Sequence, residues 1–438
     1  MGLWAELPAV GKKKGFSAPV QRVPAAEQRM HCPGQKKASC RRKNMKYDRN
    51  RRLLCGLCAL LFALVSVFPA AAFAEEPQAQ TLTASEAKAM QQADDAVTAL
   101  TDSEDFAAMD TTQRADAAEE QLQALVEQGL IRKGSIYRDE ENGMVSFAYT
   151  CGALGGILVT DLDEENDAAD VQLAEAETVQ NVERGSAGKA VIYYAFDNTV
   201  NSSRYPNYAY MRSYWNSVGL DTRLNTNVTV SDLRRMGDYD LCVLSTHGAY
   251  YTYEYGLFRK QTKTEPILLL MEQSDFWQDL RYGMDLLKHN IIKVNGMYAV
   301  DAGFFRDTYR RGKLRDTIIL SETCEFYGKN GHVDTSIADA LLNGGAEAVV
   351  GYLNNVYSVY SRSMLWAMVN RMLEGDTVQQ AMEFALDRYG ENDIVWYTAQ
   401  GGRRPHAAAS YPVLSGDTEA RLKAVQAAQT TQTVQQAA

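Results

Sequence analysis

Asp240-Leu-Cys-Val-Leu-Ser-Thr-His247-Gly248 and Thr317-Ile-Ile-Leu-Ser-Glu322-Thr-Cys324-Glu325 are two short apolar runs that each end on a polar turn. Short apolar runs bounded by polar residues read as strands buried on both faces. One run delivers a His to its end and the other a Cys. Residues 190–196 and 346–352 have the same character. Between and after these runs, helical spacing marks 208–218, 230–236, 336–342, 361–373 and 378–389. Strands that alternate with amphipathic helices are the pattern of a parallel α/β sheet. In such sheets reactive groups gather at the carboxyl ends of strands.

Upstream the pattern differs. Residues 82–130 are rich in Ala, Glu and Gln, with Leu122, Leu125 and Val126 at helical spacing and Gly129 as a stop. Two strand-like runs follow, 144–149 and 156–159. An acidic stretch comes next, with Asp161, Asp163, Glu165 and Asp167. It lacks the turn glycine and closing Glu of a calcium loop and reads as a solvated linker. Residues 183–189 form an exposed, cleavable joint. Taken together, the chain is expected to be α/β, a three-layer α/β/α sandwich around a mostly parallel sheet, preceded by a smaller α+β N-terminal domain.

Charge is divided unevenly. Residues 1–52 carry 14 Lys and Arg against 3 Asp and Glu, and the remainder 31 against 52, within a formal net charge of −10. So acidic a body is poorly suited to phosphate backbones, and nucleic acid is excluded as an expected partner. Arg51-Arg52, an apolar run over 53–68, Pro69, and Ala72-Phe73-Ala74 ahead of Glu75 have the layout of a secretory signal peptide cut after Ala74. The apolar run is short of the ~20 residues that span a bilayer, so no membrane anchor is expected after cleavage.

Met45 opens an ordinary signal peptide. Residues 1–44 are therefore read as an extension or a mis-assigned start, and 45–74 as the signal. The rest divides into an N-terminal pro- or accessory domain with its acidic linker (75–188), the α/β domain (189–418) and a Gln- and Ala-rich tail (419–438). The product is expected to be secreted or held in the periplasm or cell envelope.

Of seven cysteines, only Cys151, Cys242 and Cys324 follow the cleavage site. Three thiols cannot all pair, so at least one is free and no disulfide scaffold is expected. Cys242 lies within a strand and reads as apolar filler, as does Cys151. A thiol becomes a nucleophile near neutral pH only beside a base or in an electropositive setting. His247, at the end of a neighbouring strand, supplies one to Cys324. His332 lies in a loop close to Cys324 and reads as a surface residue. The chain has no His-Glu-x-x-His, no Gly-x-Ser-x-Gly and no Walker-type phosphate loop. Two Tyr-rich patches (Tyr205, Tyr208, Tyr210, and Tyr250, Tyr251, Tyr253, Tyr255) fit either a groove lining or sheet packing.

The His-Gly and Thr-Cys strand ends resemble those of the caspase–gingipain–clostripain–legumain clan of cysteine peptidases. Residues 336–352, Ser-Ile-Ala-Asp-Ala-Leu-Leu-Asn-Gly-Gly-Ala-Glu-Ala-Val-Val-Gly-Tyr, resemble the helix, glycine turn and strand that follow the Cys in gingipain-like and CHAT domains. Residues 411–417, Tyr-Pro-Val-Leu-Ser-Gly-Asp, are similar to their closing segment. The likeness spans about 190 to 418 and implies a caspase-like fold. The 77 residues from His247 to Cys324 exceed the clan's usual spacing and imply an insertion.

The resemblance makes Cys324 the nucleophile and His247 the proton donor to the leaving amine. It places an oxyanion hole at the backbone N–H groups of Gly248 and Cys324. Glu322 projects on the same side of its strand as Cys324. An acid there implies Arg or Lys as the residue before the cut bond, as in clostripain-like enzymes, although legumain has Glu at this place and cuts after Asn. Pairing of Glu322 with an internal base is the structural alternative. Asp197 is a weaker pocket candidate.

The expected product is a secreted cysteine endopeptidase, made as a zymogen and acting on proteins or peptides. Arg184 and Lys189 are candidate self-cleavage points. A catalytically silent CHAT-like binding module, and an Asn-specific legumain-like peptidase or ligase, are the other readings. No metal or cofactor is called for, calcium is not indicated, and the oligomeric state is left open.

Overall fold

The computed structural model describes residues 81–160, 188–196, 205–256, 259–399 and 408–422. The expected signal segment, the acidic stretch after residue 160, Arg184 and Asp197 lie outside the described residues. The strands are β1 (Tyr137–Asp139), β2 (Met144–Ala148), β3 (Leu154–Leu158), β4 (Lys189–Ala195), β5 (Asp221–Asn225), β6 (Leu241–Tyr255), β7 (Gln261–Gln273), β8 (Ile291–Val294), β9 (Met297–Val300), β10 (Ile318–Ser321), β11 (Gly328–Lys329), β12 (His332–Val333), β13 (Ala348–Leu353) and β14 (Tyr411–Gly416). The helices are α1 (Ala84–Thr101), α2 (Glu104–Ala108), α3 (Thr111–Glu127), α4 (Tyr205–Ser217), α5 (Val230–Leu233), α6 (Phe276–Leu287), α7 (Ala302–Thr308), α8 (Ser336–Asn343), α9 (Ser358–Leu373), α10 (Val378–Tyr389) and α11 (Asp393–Ala399). The fold is mixed α/β around one large central sheet; only β11 and β12 pair apart from it.

In one half of that sheet β5, β4, β6, β10 and β13 run parallel in that spatial order, and β14 closes the edge antiparallel. The inner strands β4, β6, β10 and β13 are apolar on both faces here because helices cover both, whereas the edge strands β5 and β14 are part-exposed. Residues Val191, Tyr193, Cys242, Leu244, Ile319 and Val349 face one core. Their neighbours Ala190, Ile192, Leu241, Val243, Ile318 and Ala348 face the other, with α4, α9 and α10. Helix α9 is buried on nearly every side, which suits its apolar sequence. Helix α10 begins with a reciprocal capping box, Thr377 with Gln380. The spatial order reverses between β4 and β6, which neighbour each other while β5 lies beyond β4. A crevice outside the carboxyl ends of strands at such a point is where α/β sheets bind ligands.

The other half is largely antiparallel: β6 pairs β7, β7 pairs β9, β9 pairs β8, and β8 pairs β3 in parallel. Strands β2 and β1 follow antiparallel. This half joins the region before residue 160 to the segment between His247 and Cys324. It curls back on β6, where Tyr251 donates its hydroxyl to the Gly155 carbonyl at 2.7 Å. Met90, Val97, Leu122, Leu125, Phe147 and Ile157 share one buried core with Leu286, Ile291, Val300 and Phe304. At ~1.5–3 kcal/mol for each fully buried large side chain, the six from the first segment contribute on the order of 10 kcal/mol. The segment before 160 and the insertion therefore share one core.

Several sequence readings shift. His247 does not end its strand. Parallel pairing of β6 with β4 stops at Thr246, and antiparallel pairing with β7 starts at His247, so His247 sits where β6 changes partners. Tyr251 and Tyr253 pack inside the sheet rather than line a groove, whereas Tyr255 and Tyr210 are exposed. The first residues of the Gln- and Ala-rich segment pack on the domain: Ala420 and Leu422 are buried beside α10, and the Val378 N–H donates to the Ala420 carbonyl. No helix of the described residues is long and apolar enough to cross a membrane.

Candidate functional site

At the point where β6 changes partners, Thr246, His247 and Gly248 face the turn that follows β10. The Glu322 N–H donates to the Leu244 carbonyl at 2.9 Å, which extends the β6–β10 register into the turn. Thr246 and Thr323 approach through their hydroxyls at 3.2 Å. A Cβ built on Gly248 would lie 2.3 Å from the Cys324 carbonyl oxygen and 2.3 Å from Thr323 Cγ2. Only a glycine lets the two turns come this close.

One cleft of about 70 Å³ is lined by His247, Gly248, Glu322 and Cys324 together, with Phe196, Glu325, Val356 and Ser358. The Phe196 ring meets the His247 ring edge-on, centroids 4.9 Å apart, and so braces the imidazole. Cys324 is half-buried, and its Sγ accepts the Val356 N–H at 3.4 Å. The thiol in turn points its own proton at the Val356 carbonyl, 3.7 Å away. Gly248 and Tyr250 are two residues apart on β6, so their N–H groups point to the same side. That side is the Cys324 turn, because the Tyr250 N–H donates to the Glu325 carboxylate at 2.6 Å. The arrangement holds a thiol, an imidazole and a backbone donor around one small space, which are the parts of acyl transfer through sulfur.

Glu322 is buried, with 5% of its surface exposed. Its carboxylate takes hydrogen bonds from the hydroxyls of Tyr208 (2.9 Å), Ser245 and Ser361 (3.4 Å). It borders the same cleft as Cys324, as the strand alternation leads one to expect. Lys189 is the first residue of β4. Its backbone N–H donates to the Asp240 carboxylate and its carbonyl accepts the Asp240 N–H. A cut there requires the start of β4 to peel away.

The remaining thiols stand apart. Cys242 is fully buried with its Sγ on the Met236 carbonyl at 3.4 Å, and burial pushes its pKa well up. Cys151 lies against Met90 at 3.5 Å, and burial raises its pKa too. His332 is exposed. No cluster of three metal-ligating side chains occurs among the described residues.

Four features escaped the sequence. Glu325 adopts φ 55°, a left-handed backbone that is costly for a residue with a long side chain. It is held there by the Tyr250 N–H, by Lys329 at 2.9 Å, and by its own N–H on the Asn354 carbonyl. Val356 and Phe196 position the two reactive side chains from loops whose approach no local pattern signals. Asn142, Leu158 and Thr160, from the segment before the linker, complete the cleft wall. The acid directly after the Cys was the one visible hint.

Compared with known proteins, the chain matches no protein-family model and no curated protein.

Proposed function

We propose that the chain is a cysteine endopeptidase of the caspase–gingipain–clostripain–legumain type, exported by its signal segment and acting on protein or peptide substrates. The observation that carries this reading is the single cleft shared by His247, Gly248, Glu322 and Cys324. The parallel strands that bring these residues together agree with a caspase-like sandwich. In this reading Cys324 Sγ, as thiolate, attacks the peptide carbonyl carbon. The carbonyl π pair moves to oxygen, where the Gly248 and Cys324 N–H groups stabilise it. Collapse expels the amine, which takes its proton from His247, and leaves a thioester. Water then gives a proton to His247 and its oxygen to the acyl carbon. The carboxylic acid departs and the thiol returns.

Glu322 supports a preference for Arg or Lys before the cut bond. A cationic side chain reaching it would exchange hydroxyl partners for an ion pair out of water, where charges interact more strongly. The test uses the chain from Glu75 onward, as purified and after limited trypsin treatment, beside Cys324→Ala. The substrates are fluorogenic peptides ending in Arg, Lys, Asn and Asp. The expected result is cleavage after Arg or Lys that falls at least ~10³-fold in the variant. Cleavage after Asn alone would keep the mechanism and overturn the specificity. Silence on every peptide, with Cys324 inert to haloacetamides, would leave a peptidase-like binding module.

A further inference from the structure

Residues 81–160 precede the strands that bear the chemistry and are followed by an acidic linker, the layout of a pro-segment made to be discarded. Their contacts argue otherwise. Strand β3 pairs with β8 through Gly155 with Lys293 and Gly156 with Val294. The Leu158 N–H donates to Asn295 Oδ1 at 2.9 Å, and His289 Nε2 meets the Gly152 carbonyl at 2.9 Å. Asp94 of α1 pairs with Lys293 of β8, and Ser274, at the end of β7, donates to the same Asp94 carboxylate at 2.8 Å.

The turn between β1 and β2 grips both sides of the cleft. Asn142 Nδ2 donates to Thr252 of β6 at 3.1 Å, and Glu141 accepts from Asn330, beyond Cys324, at 3.5 Å. Gly143 has φ 63°, and a Cβ on it would fall 2.1 Å from Thr160 Cγ2. The turn and the end of β3 are thus locked to each other. Asn142 spends its amide protons on Asp139 and Thr252, which leaves Oδ1 as an acceptor at the cleft wall. A peptide lying extended in the cleft offers backbone N–H groups to such an acceptor.

We infer that residues 81–160 are a permanent half of the substrate groove: they stay seated after any cut within 161–187, and Asn142 and Thr160 bind the substrate backbone beside the scissile bond. The binding half of this inference rests on the peptidase reading; the retention half does not.

The experiment places the recognition sequence of a site-specific protease within 161–187 of the chain from Glu75 onward and cuts it to completion. Size-exclusion chromatography followed by a denaturing gel then reads whether the pieces travel together. Both pieces are expected in one peak at native size, with the rate of iodoacetamide capture at Cys324 unchanged from the uncut protein. Separate elution, or peptide turnover that rises once the first piece is stripped away, would overturn retention.

Asn142→Ala and Thr160→Ala test the groove. KM for peptide substrates should rise 3–10-fold in both with kcat and iodoacetamide capture held; the melting temperature should stay put in Thr160→Ala and fall in Asn142→Ala, which also loses the bonds to Asp139 and Thr252. A fall in kcat or in melting temperature without the KM change would mean that these residues only support the fold. An uncut chain that cleaves no peptide would sink the peptidase reading and the binding half together. Chromatography still decides retention in that case.

Discussion

The two halves of the sheet bury polar atoms in opposite ways. In the antiparallel half Lys293 has no exposed side-chain surface. It meets both oxygens of Asp279 at 3.0 and 2.8 Å and lies against Asp94. Tyr298 donates to Asp279 at 2.7 Å and Tyr149 to Asp94 at 2.5 Å, and both rings flank the ammonium. Burial raises the Asp279 pKa, and Lys293 counters it. In the parallel half His247, Glu322, Cys324 and Glu325 lie at or just past the carboxyl ends of strands or where β6 changes partners, and they border one cleft. A buried charge network with every partner inside it is scaffolding. A thiol and an imidazole that border one cleft are within reach of a reactant.

The sharpest way to break this comparison is Lys293→Met. Two carboxylates would then share an apolar site without their cation, which costs ~3–5 kcal/mol. Urea denaturation should show that loss, while folded protein keeps the wild-type rate of iodoacetamide capture at Cys324. A stable variant with a slowed thiol would mean that the network serves the cleft. Gly248→Ala is the mirror experiment. Its methyl meets the Cys324 carbonyl and Thr323, so the Cys324 turn must move and the backbone donor with it. Peptide turnover should fall ~10²–10³-fold, the effect of losing one oxyanion donor. The stability change should stay within the ~1–3 kcal/mol of a local overpacking. Equal loss of both would erase the distinction between the halves.

The parallel half was also the half written in local sequence. Residues 190–196, 240–245, 317–321 and 346–352 were each recognisable as apolar runs, and the structure places β4, the start of β6, β10 and β13 there. Helix α10 matches the helical spacing of 378–389 at both ends, and the structure shows a Thr377–Gln380 capping box opening it and Gly390 following it. In the antiparallel half the runs 144–149 and 156–159 mark β2 and β3, but the strands between His247 and Cys324 are obscure for a physical reason. Strand β7 opens Gln-Thr-Lys-Thr-Glu before its apolar run Ile267–Met271, and β6 continues through His247 into Tyr- and Thr-rich sequence, so the apolar runs mark only part of each strand and not their pairing. The parallel joint of β3 to β8 links residues 155 and 293, a pairing no window of sequence contains. The site divides likewise. His247, Cys324 and Glu322 declare themselves by type and strand position. Asn142, Phe196 and Val356 are ordinary residues until the fold delivers them. The insertion could be counted from the His247–Cys324 spacing but not placed, because its partners lie upstream.

A further buried carboxylate of the antiparallel half makes the smallest prediction. Asp301 caps α7 by accepting the Phe304 N–H at 2.9 Å and is 5% exposed. Burial and the nearby Glu265 carboxylate push its pKa up to about 7, opposed by Lys263 and by the backbone N–H groups of Gly303 and Phe304. The unfolded chain holds this carboxyl at an ordinary value of ~3.9. Between about pH 4 and 7 the folded state therefore keeps a proton that the unfolded state has released. The contribution of this group to stability is full below pH 4 and falls as pH rises, by at most ~1.4 kcal/mol per unit, until it levels off above 7. Asp301→Asn keeps an oxygen for the Phe304 N–H and removes the titration. Urea midpoints at pH 4.5, 5.5, 6.5 and 7.5 should show the variant gaining on the wild type as pH rises. A constant difference across that series would mean that Asp301 is ionised in the fold, with its charge balanced as fully as that of Asp279.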